Sequence, residues 1–142
     1  MKSPVYAAIV YAVICSPCYG QQATATERYM LQERCGKLAA EVFAKEYPGP
    51  KQTDKDGMST TVGYQNHYSA KLNKCFFLER TTFFEKGTTA KLLRLFDLNE
   101  NKEYGSYWEF RVNPVQVDCV VGQTRCKSEE EWMQLAKPYL ED

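Results

Sequence analysis

The sequence predicts an α+β domain: an antiparallel sheet of about four strands, with an N-terminal helix packed on it and a short C-terminal helix. Three observations predict this class. The chain has 142 residues, which is the length of one domain. Apolar residues near its start and its end recur with the period of a helix. Between them, from about residue 60 to 111, run segments rich in aromatic and β-branched residues, as strands are.

Residues 1–20 have the features of a secretory signal peptide. They begin with Lys2, continue with an uncharged apolar run from Val5 to Cys15, and end in small residues. The run is much shorter than the roughly 20 residues that a spanning helix needs. We therefore expect an exported protein, periplasmic or secreted, whose single domain is residues 21–142 and which has no membrane span after cleavage.

Composition and charge argue against several classes of function. The 18 Lys and Arg residues balance 18 Asp and Glu residues, and the chain has one His. A nucleic-acid-binding protein usually carries a net positive face, so no nucleic-acid partner is expected. One His leaves no multi-histidine metal centre. The sequence has no phosphate-binding glycine loop, no G-x-S-x-G and no H-E-x-x-H, and no cofactor is expected.

The cysteines of the predicted mature domain indicate a disulfide framework rather than a metal or redox site. An even number of cysteines in an exported chain is typical of structural disulfides, and none of them forms a C-x-x-C pair. Cys119 and Cys126 are separated by six residues, among them Gly122, which favours a small closed loop between them. Cys35 and Cys75 would then join a predicted helix to a predicted strand. The expected pairs are Cys35–Cys75 and Cys119–Cys126.

The first predicted helix covers residues 26–47. Thr26 is its expected N-cap, and Pro48-Gly49-Pro50 ends it. Its apolar residues trace one stripe; they are Met30, Leu31, Cys35, Leu38, Ala39, Val42 and Phe43.

The second predicted helix begins after Ser128. Ser128 followed by Glu131 is a capping box, and the acidic first turn suits the positive end of the helix dipole. Pro138 is expected to limit its length. Its inner face would consist of Trp132, Leu135, Ala136 and Tyr139.

Four strands are expected between the helices. The third is apolar on both faces, so we expect it to be central in the sheet and covered on both sides. Helices and sheet would form two layers. The strands are expected at 62–68, 75–84, 89–98 and 104–112.

His67 is a weak candidate for a catalytic residue, because a lone imidazole can act as a general base. The alternative is a histidine bonded within the sheet. The strand arginines Arg80 and Arg94, with nearby glutamates, would either bind an anion or pair across strands on a solvated face.

Aromatic residues are dense in the predicted strands and suggest a binding surface. By alternation Tyr104, Trp108 and Phe110 would share one face and Tyr107 would take the other. We expect Trp108 and Phe110 in the core. A ligand or partner surface is expected at the exposed aromatics, for which the candidates are Tyr107, Phe83 and Phe84.

Asp97-x-Asn99-x-Asn101 matches the start of a calcium loop. The match ends there, because that loop needs Gly at its sixth place and Glu at its twelfth, where this chain has Lys102 and Trp108. Asp and Asn side chains also shape turns by bonding their own backbone. A hairpin turn is therefore expected here, and no metal site.

Four segments together resemble a group of small exported bacterial proteins of unknown function. The resemblance implies a bacterial envelope location and agrees with the four-cysteine, helix–sheet–helix arrangement; it implies no activity. The segments are ERCGKLAAEVF (33–43), YQNHYSAKLNKCFFLE (64–79), LFDLNENKEYGSY (95–107) and CKSEEEW (126–132).

The absence of catalytic motifs and the dense aromatics favour a non-enzymatic binding module. Its partner would be a protein, a glycan or a small apolar ligand. The alternative is a small envelope hydrolase or an inhibitor of one. The hydrolase would need His67 or the strand carboxylates in a concave site.

Overall fold

The computed structural model describes residues 24–141, which form an antiparallel sheet of seven strands with one helix before it and one after it. The strands lie side by side in chain order, so short turns connect them. The elements are α1 Ala25–Glu46, β1 Lys51–Thr53, β2 Ser59–Ser69, β3 Lys74–Glu85, β4 Thr88–Asp97, β5 Lys102–Phe110, β6 Gln116–Val121, β7 Thr124–Arg125 and α2 Glu129–Leu140.

The predicted α+β class and its two helices are confirmed, but the prediction of about four strands is wrong. The four expected strands correspond to β2–β5, and β1, β6 and β7 were missed. β1 and β7 have three and two residues, too few for a periodic pattern. β5 ends at Phe110, earlier than the expected end before Pro114, and β6 begins at Gln116. The sequence pattern that could have predicted β6 is the alternation of Val117, Cys119 and Val121 at every second position.

The helices lie on opposite faces of the sheet, so the fold has three layers rather than the expected two. Successive side chains of a strand point to opposite faces. On β3, Cys75 is bonded to Cys35 of α1, whereas its neighbour Phe76 packs in a cluster with Trp132 of α2. We call these two sides of the sheet the α1 face and the α2 face.

The α2 face holds the larger part of the core. Trp132 is fully buried there and donates its indole N–H to the Val120 carbonyl at 3.1 Å. The second disulfide, Cys119–Cys126, closes the loop next to it, as predicted. Buried residues of this cluster include Phe76, Leu78, Leu93, Leu95, Tyr107, Val121, Ala136 and Leu140.

Both helices begin at a capping residue, although α1 begins earlier than expected. Its N-cap is Thr24, not Thr26, because Thr24 has Glu27 at the third helical position to complete a capping box. Ser128 caps α2 as predicted, accepting the Glu131 N–H. The expected capping box is not completed, because the Glu131 carboxylate accepts the Lys127 N–H at 2.8 Å instead of the Ser128 N–H. Pro138 lies inside the last turn of α2, which continues to Leu140; the expected limit at Pro138 is wrong.

The helix α1 covers only part of its face. It is bonded to β3 through the predicted Cys35–Cys75 disulfide and packs on β2 and β3. β4 is the middle strand, as predicted. Leu93 and Leu95 on the α2 face are buried, whereas on the α1 face Ala90 is buried but Leu92 and Phe96 are only half-buried. The expected cover on both sides of this strand is therefore incomplete on the α1 face. We call the part of the α1 face over β4 and β5 the open half.

Candidate functional site

A groove of about 520 Å³ lies on the open half of the α1 face. Its floor is one row of paired residues across three strands: Phe83 of β3 pairs with Ala90 of β4, which pairs with Phe110 of β5. Trp108 stands beside this row, with its ring 5.8 Å from that of Phe83. The groove is lined by Met58, Phe83, Glu85, Lys86, Thr88, Ala90, Trp108, Phe110 and Val112.

Ala90 is a small residue between the two phenylalanines of this row. Adjacent strands lie about 4.8 Å apart, which places the backbones below Phe83 and Phe110 about 10 Å apart. Ala90 is only 5% exposed, and the Phe83 and Trp108 rings approach to 5.8 Å, so these side chains cover most of the floor. The accessible apolar surface of the groove is therefore that of exposed Trp108 and of half-buried Phe83 and Phe110.

Polar groups stand at one end of the groove, where β3 turns into β4. Lys86 and Gly87 form the tip of this hairpin with φ values of 45° and 83°, as in the two-residue turns that suit the twist of paired strands. Glu85, Lys86 and Thr88 line this end of the groove. The rest of the lining is apolar, so the site combines an apolar interior with a polar mouth.

Of the three aromatic residues expected at a binding surface, the structure places only one in the groove. Phe83 lines the groove. Phe84 is 44% exposed but points to the opposite face, because it is the next residue of the same strand. Tyr107 is only 1% exposed and lies in the α2-face core, so its expected exposure is wrong.

Trp108 was expected in the core and is instead 37% exposed in the groove, with half-buried Phe110 beside it. Alternation correctly placed Trp108 and Phe110 on one face and Tyr107 on the other, but the face of Tyr107 is the more deeply buried one.

Only Tyr104 was assigned to the wrong face, because β5 contains a bulge: Leu95 pairs with Gly105, but Phe96 pairs with Glu103. Tyr104 is the extra residue. It packs edge-on against Phe76 on the α2 face, so it does not share the face of Trp108.

The two arginines of the predicted surface lie on opposite faces and do not form one site. Arg80 on the α2 face donates to the Gln65 side-chain oxygen at 3.1 Å. Arg94 on the α1 face binds the Glu79 carboxylate through Nε and Nη2. Glu79 and Arg94 are direct cross-strand partners, as the alternative interpretation of these charges predicted. That interpretation also expected a solvated face, whereas Glu79 is buried.

The pair of Glu79 and Arg94 marks the boundary between α1 and the open half. Glu79 is 4% exposed, and the hydroxyl of Tyr47, the C-cap of α1, bonds to it. Burial raises the pKa of the Tyr47 hydroxyl, and its hydrogen bond to Glu79 acts in the same direction. Arg94 also lies 5.1 Å from the centre of the Phe96 ring. These contacts hold the end of α1 on the sheet. The charged groups of Glu79 and Arg94 already bind each other.

His67 lies on β2 opposite Phe76, on the α2 face, and is half-buried. The groove on the α1 face is therefore on the other side of the sheet from the imidazole. The structure does not bring His67 together with the aromatic residues of the groove or with Glu79.

The calcium-like segment forms a turn whose oxygens bond to the protein's own groups. Asp97 is fully buried; it accepts the Asn99 N–H at 2.9 Å and binds the Lys74 ammonium at 2.6 Å. The Asn99 side chain accepts the Cys75 N–H. Within residues 24–141 no group of three or more His, Cys, Asp or Glu residues is arranged to hold a metal ion.

Comparisons of the chain with family models, with curated proteins and with solved structures found no match. Among the described residues, neither helix has the length and apolar character to cross a membrane.

Proposed function

We propose that this protein is an exported, disulfide-braced binding module that takes a small apolar ligand in the groove between Phe83 and Phe110. The observation that carries the proposal is the open half of the α1 face, where an aromatic-walled slot is left uncovered. Two disulfides support export, because such bonds persist in oxidising compartments.

The size and chemistry of the groove favour a small ligand. Its volume of about 520 Å³ is within the roughly 300–1,000 Å³ of small-molecule sites, which are mostly apolar with a few polar groups. A glycan would need several hydrogen-bonding side chains along the groove, whereas here they stand at one end. A single ring or hydrocarbon chain would bury its apolar surface against the exposed part of Trp108 and against half-buried Phe83 and Phe110.

Binding fits this site better than catalysis. A general acid or base has to reach the reacting atoms, and the interior of the groove offers only apolar side chains. Its carboxylate and ammonium, those of Glu85 and Lys86, are exposed at the hairpin tip. We therefore assign the groove to recognition.

The test is a titration with N-phenyl-1-naphthylamine, an uncharged aromatic probe whose fluorescence rises in apolar sites. The wild-type protein should bind it saturably. Ala90→Leu places a larger side chain in the slot and should weaken binding at least about tenfold, since about 1.4 kcal/mol of lost contact suffices. Phe84→Ala is the matched control, because it removes an exposed ring from the opposite face of the same hairpin.

The result that supports the proposal is weaker binding by Ala90→Leu and unchanged binding by Phe84→Ala. Absence of saturable probe binding to the folded wild-type protein would contradict it. Equal losses in both variants would also contradict it, because they would place the probe on the hairpin surface rather than in the slot.

A further inference from the structure

A second cavity, of about 540 Å³, lies at the end of the sheet opposite to the β3–β4 hairpin. It is lined by residues of α1 and β2 and of the turns that connect β2 to β3 and β4 to β5. The Cys35–Cys75 disulfide belongs to its lining. The cavity shares no lining residue with the apolar groove, and we call it the α1 cavity.

Two asparagine amides at the α1 cavity have N–H groups available to a ligand. The side-chain oxygen of Asn73 accepts the Tyr68 hydroxyl at 2.7 Å, and that of Asn99 accepts the Cys75 N–H at 2.9 Å. These bonds use the oxygen of each amide and leave its NH2 group as a donor. Both asparagines are exposed and line the cavity. The sheet side of the cavity therefore offers hydrogen-bond donors.

Arg34 adds a positive charge on the helix side of the α1 cavity, where it is exposed. Ion pairs on a helix form between residues three or four positions apart, and at these distances from Arg34 stand Met30, Leu31, Lys37 and Leu38. None of them is acidic. Arg34 also forms no ion pair elsewhere within residues 24–141. Its guanidinium is therefore available to a ligand.

The acidic residues of α1 near the cavity do not neutralise Arg34. Glu33 binds the Lys37 ammonium at 2.8 Å. Glu41 lines the cavity, but it is seven positions from Arg34, which is about 10 Å along the helix, and Lys37 lies between them in the chain. The positive end of the cavity is therefore the end at Arg34.

The carboxylates of the β4–β5 turn are also bound to another group. Asp97 and Glu100 bind the Lys74 ammonium at 2.6 Å and 2.8 Å. Lys74 precedes Cys75 on β3, so its side chain points to the α2 face, away from the cavity. The turn thus presents the Asn99 amide to the cavity and directs its negative charges elsewhere.

We propose that the α1 cavity binds a small organic carboxylate, with the carboxylate group at Arg34 and the two asparagine amides. A guanidinium presents its donors in a fork that matches the two oxygens of a carboxylate. Leu31 and Leu38 are half-buried and line the same cavity, so the apolar part of the ligand would lie on them. An inorganic anion would leave these leucines in water. The volume is within the range of small-molecule sites.

The test is a titration with phenylacetate at constant ionic strength, followed in ¹⁵N–¹H spectra. This probe has one ring, one carboxylate and about ten non-hydrogen atoms, so millimolar affinity is expected. The side-chain NH2 signals of Asn73 and Asn99 should shift saturably. Arg34→Gln, a change at an exposed position, should raise the dissociation constant at least about fivefold, because it removes charge-assisted bonds to the carboxylate.

Arg28→Gln is the matched control, because it removes the same charge from an exposed position of α1 that does not line the cavity. Phenylacetamide, the uncharged analogue of the probe, should bind more weakly than phenylacetate. Absence of a saturable shift at the two asparagines would overturn the proposal. Equal binding of the two probes would also overturn it, as would equal effects of the two substitutions. None of these outcomes bears on the apolar groove, for which N-phenyl-1-naphthylamine is the probe.

Discussion

At the scale of single residues, the position of one glycine is set by the close approach of two strands. A Cβ atom added to Gly105 would lie 2.8 Å from the Val120 carbonyl oxygen, and backbone cannot move away as a flexible side chain can. Gly105 also adjoins the bulge that redirects Tyr104. The close packing of β5 against β6 therefore leaves no room for a side chain at position 105.

We expect Gly105→Ala to lower the free energy of unfolding by about 1–3 kcal/mol, as overpacking does. Gly63→Ala is the matched control, because a Cβ there has nothing within 4 Å. Chemical denaturation of both variants measures the difference. Equal stabilities would show that the strands separate at Gly105 without cost.

A second prediction at this scale concerns pH. Hydrogen bonds from the Tyr107 hydroxyl and from Arg111 lower the pKa of Glu109 below the usual value of a glutamate. A carboxyl whose pKa is lower in the folded state stabilises the fold above its unfolded pKa, and this contribution is lost as pH falls through the folded value. Glu109→Gln should therefore cost about 1 kcal/mol at neutral pH.

The difference in melting temperature between wild type and Glu109→Gln should shrink between about pH 5 and about pH 3. Glu103→Gln, an exposed substitution on the same strand, should show little difference at any pH. A constant gap between wild type and Glu109→Gln would contradict the assignment.

At the scale of elements, the two disulfides brace different parts of the fold. Cys35–Cys75 spans 40 positions and ties α1 to the sheet, whereas Cys119–Cys126 spans 7. The chain-entropy model gives about 4 kcal/mol for the first and about 2.5 kcal/mol for the second. Cys35–Cys75 is therefore expected to stabilise the fold more than Cys119–Cys126 does.

Replacing both Cys35 and Cys75 by Ala should lower stability by more than the same change at Cys119 and Cys126. Denaturation under oxidising conditions measures both double variants. A larger loss at the short loop would contradict the view that loop length dominates.

The elements also show what the sequence could predict. The helices and β2–β5 follow from strong periodic patterns and end signals such as Pro48 and Ser128. β1 and β7 were missed because two or three residues carry no period. Tyr104 was placed on the wrong face of β5 because strict alternation assumes no bulge, and the bulge at Tyr104 depends on pairing with β4. The exposure of Trp108 was missed for another reason: alternation separates the two faces of a strand but does not say which face is covered. The aromatic groove was therefore only partly anticipated, through Phe83.

At the scale of the whole molecule, the two faces of the sheet are covered unequally. The middle strand offers a matched pair of leucines: Leu95 is 0% exposed under α2, and Leu92 is half-buried on the α1 face. That the helices take opposite faces was not predictable, because periodicity gives no information on which face each helix chooses.

Leu95→Ala should cost about 2–5 kcal/mol, as truncation of a fully buried leucine does, and Leu92→Ala less than about half of that. Denaturation of the two variants makes the comparison. Equal losses would mean that the α1 face is as closely packed over β4 as the α2 face, and there would be no open half.

The central claim is that the groove of the open half binds an apolar ligand, and the chain contains a direct probe of it. Of its two tryptophans, Trp108 lines the groove and Trp132 is fully buried under α2. In an ¹⁵N–¹H spectrum each indole N–H gives one signal. On titration with N-phenyl-1-naphthylamine the Trp108 signal should shift saturably and the Trp132 signal should stay in place. A shift of Trp132 alone, or of neither signal, would contradict the claim.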